Sequence, residues 1–93
     1  MANYDIMFVC PPDESVADVA IEKYTNLINN NGGGIKKVDR WGIKTLAYDI
    51  MDNHKGYYVL MDFVANPACI KELDRVMRID EGVLRHMIIH KGE

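Results

Sequence analysis

The chain has 93 residues, 48% of them hydrophobic, and a formal charge of -3 at pH 7. That length supports one domain, residues 1–93, with one modest core, and no apolar run reaches the roughly 18 residues of a membrane-spanning helix. An acidic chain has few cations to exchange for counterions, so net charge alone does not make it a nucleic-acid binder; a local basic patch or a basic partner has to supply that contact.

The first strand runs from Asn3 to Cys10. Tyr4, Ile6 and Phe8 share one face, and Asp5, Met7 and Val9 share the other, as the period of two in a strand requires. Pro11-Pro12 ends it, since proline cannot donate to a sheet ladder. Ser15 reads as a helix N-cap with Asp18 three residues on. Ala17, Ala20, Tyr24, Leu27 and Ile28 then recur at helical spacing, giving one apolar stripe over about four turns. Gly32-Gly33-Gly34 closes that helix and lacks the spacing of a phosphate-binding loop.

Ile35 to Ile50 is long for one strand. Gly42 interrupts it, which predicts a bulge or sharp twist. Asp52 to Gly56 reads as a turn. Tyr57, Val59, Met61 and Phe63 then alternate with Tyr58, Leu60, Asp62 and Val64; a strand apolar on both faces suits a central position. Asn66-Pro67 opens a second helix as N-cap and N1 proline, with Ile70, Leu73, Val76 and Met77 inward. Asp80-Glu81-Gly82 is a turn, and Val83 to His90 is a last strand. The order βαββαβ, with right-handed crossovers, gives an α+β ferredoxin-like sandwich: a four-stranded antiparallel sheet with two helices on one face. The uncovered face is expected to carry Asp5, Met7, Val9, Asp49, Tyr58, Leu60 and Asp62.

Enzymatic chemistry finds little footing. Cys10 and Cys69 have no nearby histidine in sequence to act as base, and they read as buried thiols of a reducing compartment. His86 and His90, four apart on a strand, stand too far apart to share a metal. After the first strand, Cys10-Pro11-Pro12-Asp13-Glu14 offers no cation for phosphate, as an acylphosphatase-like loop must. No cofactor site is expected. The start of the chain lacks a basic segment followed by an apolar one, so a cytoplasmic protein with no membrane role is expected. Lys55-Gly56-Tyr57-Tyr58 resembles the opening of the aromatic strand in RNA-recognition modules, but Val59 stands where the key second ring belongs and Met7 where the first strand has one. The cations gather elsewhere. Lys36, Lys37, Arg40 and Lys44 lie along the long strand, Lys55 follows its turn, and Arg78 and Arg85 flank the last turn. Trp41, the one tryptophan, sits between Arg40 and Gly42, a pairing favoured at interfaces.

Arg40-Trp41-Gly42-Ile43-Lys44-Thr45-Leu46-Ala47-Tyr48-Asp49-Ile50, followed by Lys55-Gly56-Tyr57-Tyr58, resembles the signature of the bacterial ribosomal protein S6 family. Tyr4-Asp5-Ile6-Met7 and Arg78-Ile79-Asp80-Glu81-Gly82-Val83-Leu84-Arg85-His86 extend the likeness over nearly the whole chain. The resemblance implies a non-enzymatic, ribosome-bound protein. Such a protein binds the central domain of 16S-type ribosomal RNA together with the small basic protein S18. It makes Arg40, Trp41, Lys44 and Lys55 candidates for the partner or RNA surface, and Arg78 and Arg85 candidates for RNA contacts or ion pairs. Asp49 stands where the family usually has proline. Ala2 and Asn3 replace basic residues of some members, so an N-terminal phosphate contact is not carried over, and only Gly92-Glu93 follows the last strand in place of an acidic tail. The competing expectation is a ferredoxin-like regulatory or ligand-binding domain that uses its open sheet face.

Overall fold

A computed structural model describes residues 1–92; Glu93, the end of the short tail, lies outside them. The elements are β1 (Ala2–Cys10), α1 (Glu14–Asn30), β2 (Gly34–Ile50), β3 (Asn53–Ala65), α2 (Pro67–Ile79) and β4 (Arg85–Gly92). The four strands form one antiparallel sheet in the order β2-β3-β1-β4, with both helices on one face. This is the ferredoxin-like topology expected, and β3 is central as its two apolar faces required.

The core lies between sheet and helices. Tyr4, Ile6, Phe8 and Cys10 of β1 and Tyr57, Val59, Met61 and Phe63 of β3 meet Ala17, Ala20, Ile21, Tyr24 and Ile28 of α1. Cys69, Leu73 and Met77 complete it from α2. Each large side chain fully withdrawn from water contributes roughly 1.5–3 kcal/mol before conformational entropy is charged against it. Of the expected stripes, Leu27, Ile70 and Val76 are only partly buried, and Ile21 and Cys69 go deeper.

Local chemistry corrects several boundaries. The N-cap of α1 is Asp13: its Oδ1 accepts from the Ser15 amide at 2.9 Å and the Ser15 hydroxyl at 2.7 Å. A carboxylate outbids a hydroxyl for amide donors at the positive end of a helix. At the other end the Gly32 amide donates to the Asn29 carbonyl and the Gly33 amide to the Ile28 carbonyl, the two bonds of a Schellman ending. Asn66 precedes α2 without a side-chain cap bond, Pro67 supplying the preset first turn instead. The β2–β3 turn is Met51-Asp52, both at positive φ (49 and 65), and β3 starts at Asn53; the Asn53 side-chain Nδ2 holds the turn by donating to the carbonyls of Ile50 and Met51. β4 starts two residues later than expected, because Val83 still bonds back to the Asp80 carbonyl at 3.0 Å; the Leu84 amide, donating to the Val9 carbonyl at 2.7 Å, leads into the strand.

Candidate nucleic-acid interface

Antiparallel register sorts every side chain between the helix-covered face and the open one, since directly opposed residues share a face. On the open face Arg85, Val9, Tyr58 and Gly42 form one row across the sheet. The next is Met87, Met7, Leu60 and Asp39, followed by Ile89, Asp5, Asp62 and Lys37. Lys44 stands opposite Gly56 on this same face. Asp5, Met7, Val9, Tyr58, Leu60 and Asp62 thus lie where alternation put them. Asp49 does not join them: it sits on the exposed hairpin arm, 2.7 Å from His54 Nδ1.

The long hairpin is irregular in three places. Lys36 and Trp41 are extra residues of β2 bulges, and between the pairs Thr45–Lys55 and Ile50–Asn53 the β2 strand carries four residues against one. Gly42 takes φ +79 in the Trp41 bulge, the conformation that an interior glycine there was expected to supply. Trp41 is 46% exposed, so it is no core residue. The extra residues past Thr45 let the strand curl over the open face. Leu46 and Val9 are both buried there, outside the main core. A β-carbon on Gly56 would overlap Val9 Cγ1 and lie 3.3 Å from Leu46 Cδ2, so this packing depends on the glycine. Further along the arm, the Arg85 guanidinium donates to the Tyr48 hydroxyl at 3.0 Å and sits 5.9 Å from its ring centroid. The arm of β2 is thereby tied to β4, at the opposite edge of the sheet.

The six candidate residues do not form one patch. Lys44 and Arg85 lie on the open face. Arg40 opposes Val59 on the helix side, where it pairs with Asp18 of α1; bonding to Asp18 raises its pKa further. Lys55 opposes Thr45, also on the helix-side parity but out on the arm. Arg78 pairs with Asp74 one helical turn back, at 2.9 Å. Asp74 also binds His86 Nε2 at 2.8 Å, and the bond to His86, with Arg78 adding to it, holds its carboxyl below the usual carboxylate range.

Sorting the cations by partner is more informative than sorting them by position. Lys23, Lys37, Arg40, Arg75, Arg78 and Lys91 each have a carboxylate within ion-pair distance. Among the described residues Lys36, Lys44, Lys55, Lys71 and Arg85 have none. Three of these five, Lys44, Lys55 and Arg85, belong to the arm or are tied to it through Tyr48. Lys91 was not singled out in the sequence, yet it bridges Asp5 at 3.3 Å and Asp62 at 3.4 Å on the open face. Its partners are far away in the chain, which no local pattern reveals.

Neither cysteine is set up as a nucleophile. Burial, with the nearby Asp80 charge, pushes the Cys10 thiol up to about 12, and burial also raises Cys69; both are free thiols, far from the thiolate form that reacts. No group of three or more potential metal ligands occurs among the described residues. Nor is any helix among them long and apolar enough to cross a membrane.

Comparison with known proteins shows the family. The family model for ribosomal protein S6 matches residues 3–90. The chain is 42% identical to small ribosomal subunit protein bS6 of Desulforamulus reducens, covering all of both chains. It is 44% identical to the bS6 protein of Moorella thermoacetica, covering all of this chain and 97% of that one. The crystal structure of 30S ribosomal protein S6 from Thermotoga maritima superposes with a TM-score of 0.89 at 25% identity, covering 97% of this chain and 87% of that one. The C-terminal domain of MgtC from Mycobacterium tuberculosis shares the fold alone, with a TM-score of 0.67 at 12% identity, covering 97% of this chain and 87% of that one. The chain belongs to the ribosomal protein S6 family, whose members are structural constituents of the small ribosomal subunit and not enzymes.

Proposed function

We propose that this protein binds the central domain of 16S-type ribosomal RNA together with the basic protein S18 and works ribosome-bound in the cytoplasm. The observation that carries the reading is a set of cations with no carboxylate partner among the described residues: Lys44 and Lys55 on the hairpin arm, and Arg85 of β4 tied to that arm through Tyr48. Cations already paired must lose an attraction before they meet a phosphate; unpaired ones release only counterions. Lys44, Lys55 and Arg85 are accordingly the RNA contacts. Trp41 and Ile43, exposed and apolar on β2, anchor the protein partner. Arg40 lies beside them with Asp18, whose exposed carboxylate meets a cation of that basic partner. Arg78, paired with Asp74 on α2, serves that ion pair and not the RNA contact. The remaining acidity of the chain is offset by the partner, which explains how a protein of net charge -3 occupies RNA.

Binding to a central-domain RNA fragment, measured by filter retention with and without purified S18, tests this. Tight retention that requires S18 supports it. Equal retention without S18, or none with it, contradicts it.

A further inference from the structure

We infer that a hollow on the open sheet face is a slot for one unpaired nucleobase of single-stranded RNA, with Arg85 holding the adjoining phosphate. This rests on the RNA-binding reading above and gives it a base contact. The hollow has a volume of about 190 Å³ and is lined by Met7, Val9, Tyr58, Arg85, His86 and Met87. It is smaller than the roughly 300 Å³ at which pockets for larger ligands begin, which suits a single ring system. Three features choose the occupant.

The apolar part of the lining is two methionines, a valine and the half-buried Tyr58. A mainly apolar lining with one aromatic side chain accepts any base, because every base has a π-face. Its charge is one-sided. No carboxylate lines the hollow; Asp5 and Asp62 stand in a farther row, held by Lys91. His86 directs its Nε2 to Asp74, leaving Arg85 as the charged group available at the rim. Arg85 is also set in place. The Tyr48 hydroxyl and ring fix the guanidinium, and Lys44 lies on the same face of the sheet. An anion-bearing flat ligand satisfies all three, whereas a basic protein segment meets like charge at Arg85.

Nuclear magnetic resonance of methyl-labelled protein titrated with hexauridylate tests the inference. Saturable shifts are expected at the Met7, Met87 and Val9 methyls. Tyr58→Leu, which keeps apolar bulk without the ring, is expected to weaken hexauridylate binding by about tenfold or more, while Tyr58→Phe retains it and thermal unfolding confirms that both variants fold. No methyl shifts, shifts confined to the Lys44 and Lys55 amides, or an unaffected Tyr58→Leu would each overturn the slot. So would purified S18, without RNA, shifting the same methyls, since the hollow would then belong to protein. If central-domain RNA still binds with S18 when hexauridylate does not, the slot fails and the ribosomal reading stands. If neither RNA binds, both fail.

Discussion

Asp80 joins parts of the chain that are distant in sequence. Its carboxylate accepts from the Tyr24 hydroxyl of α1, from Lys23 at 3.1 Å, and from the Gly82 amide at 2.8 Å in the turn it opens. Burial opposes its ionisation, but the bonds from Tyr24, Gly82 and Lys23 outweigh burial and lower its pKa. A carboxyl whose folded pKa lies below its unfolded value, about 3.9, stabilises the fold above that pH. The contribution is lost as pH falls through the folded value. Asp80→Asn is therefore expected to cost about 1–3 kcal/mol at pH 7. Urea unfolding should show the gap from wild type narrowing below about pH 4, where the native carboxyl protonates too. Gly56 makes a different demand, for space. Gly56→Ala forces a methyl into Val9 and towards Leu46, so denaturant unfolding should show a loss of about 1–3 kcal/mol. From the sequence Gly56 read as a turn glycine. Its packing role depends on two side chains, Val9 and Leu46, brought together only by the sheet register.

At the scale of elements, the hairpin separates what the sequence discloses from what it conceals. The alternation of β1 and β3 assigns faces correctly because both strands are regular and one face of each is buried. The glycine break at Gly42 was legible for a similar local reason. Parity could not say that Leu46 and Tyr48 lean over the open face, because three irregularities in β2 reset the phase. Nor could spacing show that Arg40 and Lys44, four residues apart, end on opposite faces with one bulge between them. The tip carries a local conflict of its own. Met51 and Asp52 both adopt left-handed φ, a conformation disfavoured by about 1–2 kcal/mol for a residue with a β-carbon. Asp52→Gly should relieve it and raise stability by about 1 kcal/mol in thermal or urea unfolding. The 71% exposed Met51 beside it contributes no core packing. Trp41→Ala removes a half-exposed ring from a bulge. Its stability change should stay within about 1 kcal/mol, while calorimetry with S18 should show binding weakened by at least tenfold.

The whole molecule measures 37 × 21 × 21 Å along its principal axes. Its charges are distributed by function as much as by sign. A hydrogen bond between Asp74 and His86 joins α2 to β4, while ion pairs join α1 to β2 through Asp18 and Arg40 and cross the open face through Lys91. Exposed pairs of this kind contribute about 0–1 kcal/mol each, so their greater consequence is to remove cations from any binding surface. In the proposed RNA contact, the cations left are Lys44 and Lys55 of the arm and Arg85 tied to it. The sequence named Lys44, Lys55 and Arg85 among six candidates; choosing between them required the carboxylates brought near by folding. The central claim is that these unpaired cations carry the RNA contact. It is tested most directly by the salt dependence of central-domain RNA binding, in the presence of S18, for wild type and the Lys44→Ala/Lys55→Ala variant. The account predicts that the variant binds at least about tenfold more weakly at moderate salt, with the log–log slope shallower by about two, and that Lys71→Ala leaves both unchanged. An unaltered affinity and slope in the double variant would contradict it.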